Sequence, residues 1–135
     1  MSPARKTTTD SNNQDTLLTM MDAWPQSWAG TKDDIPFGEG LVAEMKPFVI
    51  QLHSLVLSDK TIRRHLDNLW VIGGEIIREI NYYPKQAKKS PQQLLCETIA
   101  NGEAPFIQDF SESEQRALDA TAKKLQKYLL STYIF

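Results

Sequence analysis

The chain has 135 residues, 41% of them apolar, a formal net charge of −2 and a pI near 5.7. That length suits one domain with its own core, and that charge excludes a polycation of the histone or ribosomal kind. One cysteine, Cys96, excludes an intramolecular disulfide, and no stretch approaches the ~20 apolar residues of a membrane span.

Residues 1 to about 14 are rich in Thr, Asp, Ser, Asn and Gln without apolar periodicity, so a disordered arm is expected there, with no secretory signal. Leu17, Met20, Met21 and Trp24 then fall at i, i+3, i+4 and i+7, the pattern of a short amphipathic helix that Pro25 stops. Trp28 follows, and a Gly, Asp and Pro-rich connector is expected from Gly30 to Gly40. The mini-helix either docks its Met/Trp face onto the domain or offers it to a partner; Trp24 and Trp28 are the candidate partner-binding residues.

The first long helix is expected to begin near Gly40, with Leu41, Met45, Phe48, Val49, Leu52 and Leu55 forming one stripe. Pro47 predicts a kink or a restart within it. Ser58 caps the best-defined helix, about Asp59 to Asn81, whose buried face reads Ile62, Leu66, Leu69, Gly73, Ile76, Ile77 and Ile80. Gly73-Gly74 disfavours helix by ~1 kcal/mol per glycine, yet the stripe stays in phase across it, so Gly73 marks a close backbone approach. Tyr82-Tyr83-Pro84 ends the helix, and Lys85, Lys88 and Lys89 form a basic loop. Ser90-Pro91-Gln92-Gln93 starts a short helix carrying Leu94, Leu95, Thr98 and Ile99, closed at Asn101-Gly102. Ser111-Glu112-Ser113-Glu114 reads as a capping box for a last helix burying Leu118, Thr121, Ala122, Leu125, Tyr128 and Leu129. The expected fold is all-α, a small four- to five-helix bundle over 41–135, behind the arm (1–14) and the mini-helix with its connector (15–40).

Chemistry-bearing residues are sparse. His53 and His65 have no second histidine or cysteine at metal-ligand spacing, and Cys96 has no nearby histidine in sequence. Gly38-x-Gly40-x-x-Ala43 lacks the preceding strand that a dinucleotide-binding turn needs. The expectation is a non-enzymatic protein without metal, cofactor or small-molecule substrate.

Charge placement is more informative than the total. Residues Met1 to Leu57 carry four cations against seven carboxylates, and the stretch after Ser90 four against six. From Ser58 to Ser90 there are seven cations (Lys60, Arg63, Arg64, Arg78, Lys85, Lys88, Lys89) against four carboxylates. The middle third is the only net-basic segment. Its helix begins with Lys60, Arg63 and Arg64, although a helix N-terminus favours anions; free amides beside arginines suit a phosphate, whereas the bland alternative is a solvated face.

The stretch Leu57-Ser58-Asp59-Lys60-Thr61-Ile62-Arg63-Arg64-His65-Leu66-Asp67-Asn68-Leu69 resembles the "LS-x-x-T-x-x-x-Y-x-x-x-L" element of the core-binding, SAM-like domain of tyrosine recombinases and phage integrases. Met45 to Leu52 looks like that domain's first helix, and the resemblance covers about residues 41–81. His65 stands where the element has tyrosine. The resemblance implies a four-helix module that clamps DNA, without the catalytic domain, which needs more chain than follows Asn81. Tyr133 lacks the arginine and histidine constellation of a recombinase nucleophile.

Two functions follow as expectations. The first is double-stranded DNA backbone contact through Lys60, Arg63, Arg64, Lys85, Lys88 and Lys89, with Tyr82 and Tyr83 stacking. The alternative is a protein-interaction or scaffold module working through Trp24, Trp28 and the apolar tail Tyr133-Ile134-Phe135. A cytoplasmic location is expected on either reading.

Overall fold

The computed structural model describes residues 14–133. Apart from Gln14, which is helical, the expected disordered arm lies outside them, as do Ile134 and Phe135 of the apolar tail. The described chain is helical with no strand: α1 (14–21), α2 (Trp24–Trp28), α3 (Asp34–Ser54), α4 (Asp59–Tyr82), a 3-10 turn (Pro84–Lys88), α5 (Pro91–Thr98) and α6 (Glu112–Tyr133).

Helix starts follow side-chain chemistry. The Thr61 amide donates to Ser58 Oγ at 3.1 Å, and the Gln93 amide to Ser90 Oγ at 3.1 Å. Ser111 and Glu114 form the reciprocal pair that the capping box demands, the Glu114 amide donating to Ser111 Oγ and the Ser111 amide to Glu114 Oε1. At the end of α5, Gly102 takes φ +71° and its amide donates to the Ile99 carbonyl, a position that suits glycine alone without strain.

α3 corrects the expected connector, because it begins six residues before Gly40, at Asp34. The Asp34 carboxylate is buried and accepts from the Gly30 amide (2.8 Å), the Thr31 amide (3.0 Å) and Asn81 Nδ2 (3.1 Å). Pro36 sits in the first turn, where its missing N–H removes no intrahelical bond. Gly38 and Gly40 are packing positions, since a Cβ on Gly38 would lie 3.1 Å from Pro25 and one on Gly40 2.5 Å from Pro91. Helix also runs unbroken through Pro47, so of the kink or restart expected there, the restart does not occur. Pro47 and Ala43, whose carbonyl loses its partner, are both exposed, so water can satisfy that carbonyl.

α3 and α4 are joined by residues 55–58, and α6 returns antiparallel to α4, because residues 117 and 121 meet 68 and 65. The core comprises the α3 stripe from Leu41 to Leu52, the α4 stripe from Ile62 to Ile80, Leu94, Leu95 and Ile99, the α6 stripe from Leu118 to Leu129, and Leu17 and Met21 from α1. The expected buried faces of α4 and α6 are buried, except that Tyr128 is half-exposed, its ring 5.7 Å from that of Phe48.

α2 is seated against α3 and α4 by an indole. A Cβ on Gly73 would lie 2.4 Å from Trp28 Cζ2, and one on Gly74 3.3 Å from Trp28 Cδ1. The Trp28 indole thus fills the notch that the two glycines leave in α4, and its Nε1 donates to the Trp70 carbonyl at 2.9 Å. In return Trp70 Nε1 donates to Ser27 Oγ at 2.9 Å. The helix-propensity cost of Gly73-Gly74 is offset by a contact that no larger residue would permit.

Candidate nucleic-acid interface

The antiparallel arrangement brings the end of α3, the start of α4 and the end of α6 to one end of the bundle, called here the basic end. Lys60, Arg63 and Arg64 occupy the first turn and a half of α4, at spacings that make them neighbours on a helix surface, and all three are exposed. Arg63 faces α1 and α2, lining a groove with Leu17, Met20, Trp24, Leu66 and Trp70. Arg64 faces α6, lining a recess with Asn68, Phe110 and Glu114. The two guanidinium-bearing chains therefore straddle α4.

α6 adds cations that the sequence reading missed. Lys124 and Arg64 both bear electrostatically on the His65 ring, one from each side of the α4–α6 seam. Lys127 lies one turn beyond Lys124, and both line a pocket of about 350 Å³ with Phe48, Leu52, Leu55 and Tyr128. Among the described residues, Lys60, Arg63, Arg64, Lys124 and Lys127 form no salt bridge. On the α4 part of this end the carboxylates are Asp59, which has a partner of its own, and Asp67.

Under this surface lies a buried polar seam. His65 Nδ1 and Thr121 Oγ1 are 2.7 Å apart, and Asn68 Nδ2 donates to Thr121 Oγ1 (2.8 Å) and to the Ala117 carbonyl (3.1 Å). Burial pushes the imidazole pKa below its ordinary value, and the positive charges of Lys124 and Arg64 push it the same way. The neutral ring hydrogen-bonds the Thr121 hydroxyl through Nδ1, and Thr121 Oγ1 itself donates to the Ala117 carbonyl at 3.3 Å, which pins α6 to α4 directly behind the cations.

The structure does not bring Lys85, Lys88 and Lys89 to this end. They lie in and just after the 3-10 turn that follows α4, where a loop was expected; Gln86 of that turn sits beside Glu75 and Glu79, about three to four helical turns, or roughly 20 Å along the axis, from Arg64. Lys89 Nζ is held 2.8 Å from Glu97 Oε1. Hydrogen bonds from Lys89 and Gln93 lower the Glu97 pKa. Tyr82 and Tyr83 share that far end, exposed, beside Glu79 and Asp109.

Trp28 is turned into the α4 notch. Trp24 packs on it with ring centroids 5.8 Å apart and lines the Arg63 groove. Trp70, half-exposed in the same groove, was not singled out from sequence; its place on the polar side of the α4 stripe was the available signal.

Among the described residues there is no group of three or more His, Cys, Asp or Glu side chains placed to hold a metal ion, and no helix is long and apolar enough to cross a membrane. Burial, with the Glu44 and Glu97 carboxylates, pushes the Cys96 thiol pKa up, away from the thiolate form that nucleophilic chemistry needs. Compared with protein-family models, curated proteins and solved structures, the chain has no match. The resemblance to the recombinase core-binding module accordingly rests on the residues from Leu57 to Leu69 and their neighbours alone.

Proposed function

We propose that this chain is a non-catalytic helical domain that binds the backbone of double-stranded DNA across the basic end of the bundle. The observation that supports it most is that Lys60, Arg63 and Arg64 stand exposed at the start of α4, with Lys124 and Lys127 on the part of α6 that returns beside it, all free of salt bridges among the described residues. Cations left unpaired by the fold are available to displace condensed counterions from phosphates. The amides at the start of α4 add donors of the kind that phosphate oxygens take. Lys85, Lys88 and Lys89 drop out of this interface, being at the other end of α4. The likeness of the Leu57–Leu69 stretch to a DNA-clamping module points to the same helix start.

The test is a gel-shift assay with a duplex of about 30 base pairs at two salt concentrations. Retention is expected at low salt, falling steeply as salt rises, and Arg63→Ala/Arg64→Ala should abolish it. Absence of binding, or binding indifferent to salt, would contradict the proposal.

A second reading, a protein partner along the Arg63 groove, is favoured by Met20 and Trp70, which remain 54% and 43% exposed there. Removing residues 1–30 cannot separate the readings, because it strips Leu17, Met21, Pro25 and Trp28 from the fold. Met20→Gln does separate them: a polar, uncharged side chain should weaken a groove-bound partner and, adding no charge beside Arg63, leave DNA retention unchanged.

A further inference from the structure

The far end of α4 carries a different surface. Phe106, Tyr82 and Tyr83 are 77%, 69% and 61% exposed, and all three line one open cleft of about 730 Å³ between the end of α4 and the connector before α6. Three large aromatic rings around one cleft are unusual on a monomer surface, where exposed apolar groups are normally scattered. Glu79 and Asp109 line the same cleft, and neither forms a salt bridge among the described residues.

We propose that this cleft binds an arginine-bearing segment of a partner protein. Two features select that occupant. Aromatic faces attract cations through the ring quadrupole, and a guanidinium both stacks on a ring and pairs with a carboxylate in a planar fork. The cleft already holds one such contact, since the guanidinium of Arg78 lies 5.6 Å from the Tyr82 ring centroid while remaining 3.9 Å from Glu75. Tyr83 and Phe106 have no cation of this kind among the described residues, and Glu79 and Asp109 supply the matching negative charge. A nucleic-acid strand is the competing occupant for exposed tyrosines, but its phosphates would meet these two carboxylates, a repulsive placement. The aromatic cleft and the basic end therefore select partners of opposite charge.

The experiment is NMR titration of the full, isotope-labelled chain with a capped Gly-Arg-Gly-Arg-Gly peptide, its glutamate counterpart and a short oligothymidylate. The arginine peptide should give saturable shifts centred on the amides of Tyr82, Tyr83, Phe106 and Asp109, with neither other probe doing so. Phe106→Ala should weaken the peptide at least tenfold, and Glu79→Gln/Asp109→Asn should do likewise while keeping the rings. Phe106 lies in an exposed connector, and the unperturbed part of each variant's spectrum reports its fold. No saturable shift, shifts centred elsewhere, indifference to both variants, or oligothymidylate titrating these amides in place of the peptide would each overturn the proposal.

Discussion

The two ends of α4 carry opposite surfaces on one continuous helix. At the start, cations stand outward over a buried seam of His65, Asn68 and Thr121, and Lys60, Arg63, Arg64, Lys124 and Lys127 outnumber the nearby carboxylates Asp59, Asp67 and Glu114. At the finish, aromatic rings stand outward beside Glu75, Glu79 and Asp109, and the lysines that follow are partly engaged, Lys89 with Glu97. Neither end is remarkable in net charge when the chain is averaged, which explains how a molecule of charge −2 presents a coherent basic surface. Local placement decides what each end can attract.

The largest expected effect concerns the middle, where Trp28 holds α2 to α4 between the two ends. Trp28→Ala should lower stability by about 3 kcal/mol in denaturant unfolding. Gly73→Ala should also destabilise, by about 1–3 kcal/mol, because its Cβ would enter the indole ring. In the Trp28→Ala background the same glycine substitution should turn stabilising, by up to ~1 kcal/mol. If Gly73→Ala stabilises the wild-type chain, the notch account fails.

The two ends also differ in how acid weakens them. Asp34, tied to Asn81 near the aromatic end, has a pKa that burial would raise, but the bonds from Asn81, Thr31 and Gly30 outweigh burial and hold it below the ordinary value. Its folded pKa being depressed, its contribution is present above the ordinary carboxylate pKa and is lost as pH falls through that range. Asp34→Ala should cost about 2 kcal/mol at neutral pH and flatten the decline below pH ~4. His65, at the basic end, is depressed as well, so the unfolded chain takes up its proton first. Stability should fall as pH drops below ~6.5, and His65→Gln should flatten that earlier window. Thermal unfolding of both variants from pH 8 to pH 3 separates the two; a decline unchanged by either would break the assignment.

Smaller effects sharpen the basic end. Ser58→Ala should cost about 1 kcal/mol by removing the cap of α4, and circular-dichroism melts measure it. Duplex DNA should raise the His65 pKa, because phosphates offset Lys124 and Arg64, but only in part, because burial is the larger cause and persists. The imidazole proton resonances in a pH titration report that shift, and an unmoved pKa in the bound state would place the DNA elsewhere.

Much of the architecture was legible because it depends on local chemistry: the stripes of α4 and α6, and the serine caps at 58, 90 and 111, follow from spacing and from orphan amides. What was not legible depended on distant partners. Asp34, Gly38 and Gly40 read as turn residues until Asn81, Pro25, Trp28 and Pro91 are brought against them. Gly73 signalled a close backbone approach, but what enters is the side-chain indole of Trp28, 45 positions away. On the functional side, Lys60, Arg63 and Arg64 stood out by breaking the dipole rule. Lys124 and Lys127 were hidden because the charge was summed over the whole stretch after Ser90, where Glu97, Glu103 and Asp109 outside α6 turn the total negative although α6 itself carries four cations against three carboxylates. The lysines after α4 were grouped with them by sequence proximity, which a 24-residue helix overrides.

The most direct measurement is the salt dependence of duplex-DNA affinity for the wild-type chain and two double variants. Five cations at the basic end predict a slope of log affinity against log salt of roughly −4 to −5. Lys124→Ala/Lys127→Ala should reduce its magnitude by about 2, and Lys85→Ala/Lys88→Ala should leave it unchanged. A slope near zero, or one that responds to Lys85 and Lys88 and ignores Lys124 and Lys127, would contradict the account.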